Sequence, residues 1–220
     1  MKAVYIDSAV PEKEAKARYN FPECVMMENA AMALEKAVKS AFSEINKNLS
    51  KKSQILIICG GGNNGADGLT LSRRLFPELN CTVALLKEPK TKEAEIQFKM
   101  AQATGVNFCK PEELENLSSP EIIVDCIYGS GFHGILSRED AKIISKLNSF
   151  SSYKIACDIP SGISKSGQIE TVFNNEKLAF KADETVTMGS FKLALFTDDA
   201  KNFTGKIRFG TWLLQLRILC

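Results

Sequence analysis

From Gln54 to Met188, short continuous apolar runs alternate with helical patterns. The runs are Ile55–Cys59, Thr82–Leu86, Val106–Cys109, Ile122–Cys126, Lys154–Asp158 and Thr185–Met188. Between them lie the helical segments Gly65–Phe76, Lys92–Thr104 and Arg138–Leu147. A run without polar alternation suits a strand covered on both faces. Strand–helix–strand repetition then predicts an α/β fold: a Rossmann-like, doubly wound, mostly parallel sheet with helices on both faces, an αβα sandwich. Ahead of it, Met26, Met27, Ala30, Ala33, Leu34, Ala37, Val38, Ala41, Phe42 and Ile45 recur at three-and-four spacing. They predict one long amphipathic helix from Pro22 to about Asn48, with a short helix before it. No repeat or linker interrupts the pattern, so residues 1–220 read as a single domain. After Gly189 the signal weakens to a strand-like Lys206–Phe209 and an apolar tail, Trp212–Cys220, with no assignment.

Charge narrows the function classes. The 28 basic and 26 acidic residues leave a net charge of +2, which gives no electrostatic reason to expect a nucleic acid or anionic membrane partner. No run approaches the ~18 apolar residues of a membrane span. The N-terminal stretch carries Asp7, Glu12 and Glu14 and has no apolar h-region, so no secretory signal is expected. The seven cysteines are odd in number and scattered, and none forms CxxC. That favours a reduced, cytoplasmic chain. Cys59, Cys126 and Cys157 end apolar runs and read as buried small hydrophobes. His133 is the sole histidine, which leaves little for a histidine-rich zinc site or a histidine-based triad.

In an open parallel sheet, ligands bind beyond the carboxyl ends of strands where the strand order reverses. The loops to read follow Cys59, Asp125 and Asp158. The first, Gly60–Gly68, matches GxGxxG at Gly60, Gly62 and Gly65, with Glu88 near the ~20-residue offset of a ribose-binding acid. It reads as a dinucleotide loop or as a plain strand-to-helix turn. Asn63 and Asn64 add directed donors and acceptors, and Asp67 suits a helix cap. In the second loop, Asp125 ends an apolar strand, where a carboxylate needs a cation or hydrogen bonds. Gly129, Gly131 and Gly134 form a further candidate phosphate cradle, and His133 reads as an exposed loop residue. The third loop sets Asp158 before a rigid Pro160 turn and Ser161. Asn64, Asp125 and Ser161 offer oxygens only, a set suited to a hard cation rather than zinc, and with so few carboxylates a monovalent one.

Five segments in order, MMENA, GGGNNGADG, VDCIYGSGFHG, ACDIPSGI and FKADETVTMGSFKLAL, resemble the NAD(P)HX epimerases, the YjeF N-terminal domain family. That family interconverts the R and S forms of NADH or NADPH hydrated at C6 of the nicotinamide ring. The resemblance implies that Asn63, Asn64, Gly65, Ala66 and Asp67 contact the hydrated cofactor. It also implies that Gly129, Ser130, Gly131, Phe132, His133, Gly134 and Ile135 hold its phosphates. Asn64, Asp125 and Ser161 would coordinate a potassium ion. Asp158 would sit at the substrate as the acid/base, with Lys192 as electrostatic partner or second acid. NADHX or NADPHX as substrate, a homodimer and an NAD(P)HX dehydratase as functional partner are implied too. The chain departs from the pattern at Ala66, Met188 and Ala194, and Ser164 replaces an acid or amide. Two other readings stand beside this one. An NAD-dependent dehydrogenase rests on the glycine loop and Glu88. A non-catalytic YjeF-type binding or dimerisation module would be expected to have lost Asp125, Asp158 or the Asn63-Asn64-Gly65 motif.

Overall fold

The computed structural model describes residues 4–5, 13, 17–45 and 53–210. Its elements are β1 (Val4–Tyr5), α1 (Glu23–Glu44), β2 (Gln54–Cys59), α2 (Asn63–Leu75), β3 (Asn80–Leu85), α3 (Lys92–Thr104), β4 (Asn107–Cys109), β5 (Ile122–Cys126), α4 (Arg138–Ser149), β6 (Tyr153–Cys157), β7 (Val172–Phe173), β8 (Glu176–Lys177), β9 (Glu184–Met188), β10 (Phe191–Lys192), α5 (Lys201–Thr204) and β11 (Lys206–Gly210). Seven strands form one sheet in the order β11-β9-β6-β5-β2-β3-β4, and every pair in it is parallel. The strand order reverses between β2 and β5, the adjacent first and fourth strands of this sheet, as the alternating pattern predicts. The expected extension of the long helix to Asn48 is not seen: α1 ends at Glu44, where Ile45 caps it through its N–H on the Ala41 carbonyl. The unassigned apolar tail lies outside the described residues.

The central strands are buried along their length, because each is covered on both faces. One layer of core joins Ile55, Ile57, Val124 and Ile155 to Leu34 and Phe42 of α1 and Leu69 of α2. The opposite layer joins Leu56, Ile58, Ile123 and Ala156 to Ile144 and Leu147 of α4. Helix ends follow local chemistry. The Thr91 hydroxyl accepts from Ala94 N–H at 3.2 Å, Ser137 caps α4 through Asp140 N–H at 3.1 Å, and Gly105 closes α3 at φ 86°.

Two features lacked a periodic signal. β7 and β8 form an antiparallel hairpin whose turn residues, Asn174 and Asn175, have φ of 51° and 66°. Asparagine tolerates that region, and the Asn-Asn pair between two short runs was the available signal. β10 pairs in parallel with β1, setting Tyr5 opposite Lys192. The apolar stripe of α1 is almost wholly intramolecular: Met26, Met27, Leu34 and Phe42 are buried, and on this helix only Val25 and Met32 are exposed large apolar side chains.

Candidate functional site

At the reversal point the chain leaves β2 and crosses the end of β5, with Gly60 N–H donating to the Cys126 carbonyl at 3.0 Å. A Cβ on Gly60 would stand 2.1 Å from the Ile127 carbonyl oxygen, and one on Gly65 1.8 Å from the Gly60 oxygen. Packing therefore demands glycine at both positions. A Cβ on Gly62 would meet nothing within 4 Å, so there the backbone is left open to a ligand. α2 starts at Asn63, two residues earlier than its apolar pattern indicates. Asn63 and Asn64 thus occupy the first helical turn rather than a loop, where backbone N–H groups need no intrahelical partner. Asp67 is not the cap; that place belongs to Gly62, which has no capping side chain.

Asp158 follows β6 with φ 70°. Ile159 N–H donates to the Cys157 carbonyl at 2.9 Å, closing a three-residue turn around it. Such backbone costs about 1–3 kcal/mol and persists only where its surroundings fix it. Here they do: Asp158 Oδ2 accepts from Ser130 N–H at 3.0 Å, and Oδ1 accepts from Lys192 Nζ and from Met188 N–H at 3.4 Å. A second such turn returns the chain after β9, with Ser190 N–H on the Met188 carbonyl at 2.7 Å and Gly189 at φ 70°. It delivers Lys192, whose ammonium also donates to the Met188 carbonyl at 2.6 Å and to Thr187 Oγ1 at 3.1 Å. Burial pushes the Asp158 carboxyl up. The Lys192 charge and hydrogen bond, with the two N–H donors, outweigh it and hold the group below its ordinary value.

Asn64 Oδ1 and Asp158 Oδ2 would each lie 3.1 Å from a Cβ on Gly129, so that glycine lets the start of α2 and the loops after β5 and β6 meet. Asn64 Nδ2 is buried without a hydrogen-bond partner. Asp125 is fully buried. Its Oδ1 accepts from Ser161 Oγ at 2.7 Å and Ile127 N–H at 3.1 Å, and its Oδ2 from Ser161 N–H at 2.8 Å. Burial pushes its pKa up to about 6 in spite of these bonds. Among the described residues no three His, Cys, Asp or Glu side chains are grouped to hold a metal. The side-chain oxygens of Asn64, Asp125 and Ser161 are of the kind a hard ion of low charge takes.

These groups border a cavity of about 750 Å³. Of the residues singled out in the sequence, Asn63, Asn64, Asp67, Gly129, Ser130, Gly131, Phe132, His133, Ile135, Asp158 and Lys192 line it. Five do not. Gly65 is packed on Gly60, Ala66 is buried with Met27 and Ala94, and Gly134 turns the loop at φ 79°. Asp125 and Ser161 are buried and reach the site only through their bonds to the loop after β5, where Tyr128 N–H donates to Ser161 Oγ at 2.9 Å. The predicted ribose acid, Glu88, is exposed and stays outside the cavity wall, while Lys87 and Lys90 on either side of it line that wall. Sequence patterns also missed the contribution of α1, which lays Met26 and Met27 along the cavity. Their helical spacing signalled only a buried stripe. Tyr128 and Asp140 were missed as well. Tyr128 Oη donates to Asp140 Oδ2 at 2.7 Å, and Lys87 Nζ donates to both Tyr128 Oη and Asp140 Oδ2.

A doubly wound parallel sheet with a buried acid–lysine pair and an open glycine turn at its reversal point defines an α/β protein with a candidate ligand site at that edge of the sheet. Residues 23–194 match the family described as YjeF-related protein N-terminus, and the chain belongs to that family. It is 33% identical over 189 residues to an NAD(P)H-hydrate epimerase of Oenococcus oeni, covering 84% of each chain. It is 36% identical over 212 residues to the bifunctional NAD(P)H-hydrate repair enzyme Nnr of Helicobacter pylori, where 96% of this chain spans 42% of that enzyme's length. A crystal structure of the yeast protein YNL200c superposes with a TM-score of 0.75 at 21% identity, covering 95% of this chain and 87% of the yeast chain, and shares the fold.

Proposed function

We propose that this chain is an isomerase that interconverts the R and S forms of NADH or NADPH hydrated at C6 of the nicotinamide ring. The observation that carries this reading is the buried Asp158–Lys192 pair facing the cavity beside the loop after β5. The relatives' names support it. At C6 the substrate is a hemiaminal, and epimerisation proceeds by loss and return of hydroxide or by ring opening and reclosure. Both routes move a proton to and from one oxygen. In the ring-opening route Asp158, held as a carboxylate, accepts the C6 hydroxyl proton as the C6–N1 bond breaks, C6 becomes an aldehyde and the electron pair passes to the ring nitrogen; the Lys192 ammonium stabilises the negative charge that develops. The same pair returns the proton when the other face closes, a contribution of typically ~10²–10⁴-fold. No net oxidation occurs, and the missing ribose acid at Glu88 weighs against the dehydrogenase reading. Intact Asp125, Asp158 and Asn63-Asn64-Gly65 weigh against a non-catalytic module.

Asn63, Asn64 and Asp67 would contact the hydrated cofactor, and the loop from Gly129 to Ile135 would hold its phosphates. Asn64, Asp125 and Ser161 would hold a potassium ion, whose charge would draw the three loops together and favour the polar ring. A dehydratase acting on one epimer would be the functional partner; the relative from Helicobacter pylori is named a bifunctional repair enzyme, which is in keeping with a second activity beside this one. We place the protein in the cytoplasm as a homodimer. The six described cysteines are free thiols, no described helix is long and apolar enough to cross a membrane, and Val25 and Met32 form an exposed apolar edge on α1. The deciding experiment mixes purified protein with a single epimer of hydrated NADH and follows the other by chromatography. Equilibration well above the spontaneous rate is the expected result; a rate equal to the protein-free control overturns the reading.

A further inference from the structure

The end of the cavity remote from Asp158 carries charges that epimerisation leaves unused. Lys87 is locked there. Its ammonium donates to Asp140 Oδ2 at 2.9 Å and to Tyr128 Oη, and it lies 5.0 Å from the centre of the Tyr128 ring. Lys90 is fixed at its backbone, its N–H donating to the Gly61 carbonyl at 2.7 Å. Its ammonium has no acidic partner among the described residues, so the two lysines exceed Asp140 by one positive charge.

Position gives that surplus a meaning. Asp158 follows β6 and the lysines follow β3, and β5 and β2 lie between them. Three strand spacings of ~4.8 Å separate the two ends by about 14 Å. Midway runs the loop after β5, where Gly131, His133, Gly134 and Ile135 keep backbone N–H groups without a partner among the described residues. A dinucleotide with its ring at Asp158 and its diphosphate on that loop sets its adenosine ribose at the end of β3. In doubly wound sheets the residue there reads the ribose: an acid takes the free 2′-hydroxyl, and a cation takes a 2′-phosphate.

The geometry points to a subsite for the adenosine 2′-phosphate at Lys90, with Lys87 held beside it by Tyr128 and Asp140, so that the hydrated NADPH form is the preferred substrate. This deepens the epimerase reading and rests on it. The free ammonium of Lys90 meets a phosphate as a point charge. Calorimetry with 2′-phospho-ADP-ribose and ADP-ribose tests binding apart from catalysis. The full-length protein is expected to bind the 2′-phosphorylated probe about tenfold or more tightly, a margin set by one charge-assisted contact. Lys90→Gln is expected to erase that margin and Lys90→Arg to retain it. The ratio of kcat/KM for hydrated NADPH over hydrated NADH is expected to change in parallel. Equal binding of the two probes by the unaltered protein overturns the subsite. Equal weakening of both probes by Lys90→Gln also overturns it, since the lysine then serves the diphosphate. If neither hydrate is turned over while the probes are still distinguished, the epimerase reading is lost and the subsite stands.

Discussion

The Lys192 ammonium meets the Asp158 carboxylate because two three-residue turns, one after β6 and one after β9, bring neighbouring strand ends back toward each other. Neither side chain is free to leave: the lysine is bound to two further oxygens and the aspartate to two N–H groups.

Asp158→Asn is expected to fold and to lower the epimerisation rate by about 10² or more. Since the carboxyl is held below its ordinary value, the unaltered enzyme should keep its rate as pH falls well into the weakly acidic range. Lys192→Gln removes the largest lowering influence and leaves burial opposed only by the Ser130 and Met188 N–H bonds, so the acid limb of the rate profile moves up. Rate–pH profiles of the three proteins check this, and an acid limb unmoved by Lys192→Gln counts against the pairing.

Asp125→Ala leaves the N–H groups of Ser161 and Ile127 without their acceptor, a loss of about 1–3 kcal/mol. It should also abolish any stabilisation by potassium. Thermal unfolding in potassium chloride and in a bulky organic cation measures both effects. If the unaltered protein melts at the same temperature in the two salts, these oxygens hold no ion.

Gly65→Ala and Gly62→Ala separate packing from binding. The first puts a methyl group 1.8 Å from a backbone oxygen and should destabilise by about 2–3 kcal/mol. The second puts it in open space, so the melting temperature should hold while substrate affinity drops. Denaturant titration and a KM measurement distinguish the pair.

Asp140 supplies a pH-dependent part of stability. Burial raises its pKa, but Lys87, Tyr128 and Ser137 together outweigh burial and lower it below the ordinary 3.8. A lowered folded-state pKa stabilises at pH above the unfolded value and loses that stabilisation as pH falls through the folded one. The stability difference between the parent and Asp140→Asn should therefore be constant near neutrality and shrink below about pH 4. A difference independent of pH down to 2 would show that the carboxylate charge contributes nothing.

Assembly is tested by light scattering at micromolar concentration. A dimer mass is expected, and Met32→Lys, on a side chain 52% exposed, is expected to halve it. A monomer mass for the unaltered chain overturns the dimer. Met27→Lys is no test of assembly, since Met27 is buried in the cavity wall.

Much of this was legible from residues alone, for identifiable reasons. Continuous apolar runs mark buried parallel strands, so six runs placed the strand ends, and the reversal rule placed the three loops. Asp158 stood out as an acid closing an apolar run. What stayed hidden depends on contacts far apart in sequence. Lys87, Tyr128 and Asp140 come from three segments, and no local period brings them together. Glu88 had the right offset for a ribose acid, but Lys87 and Lys90 form the wall, which spacing alone cannot tell. Asn63 and Asn64 read as loop residues because glycine neighbours mask a helix start that has no side-chain cap.

An all-parallel sheet also has a kinetic consequence. No adjacent pair of strands in it is joined by a hairpin, so each contact closes a long stretch of chain. Proteins built from such distant contacts fold slowly. Asn64, Gly129, Asp158 and Lys192 come from four separate crossovers, and Lys192 follows β9, the sixth strand of the sheet in chain order. A nascent chain that has emerged only through β6 can form the glycine turn and the strand that carries Asp158, yet it has no cation to oppose that acid. The pair is therefore completed late in synthesis, and a chain stalled before Lys192 would lack it.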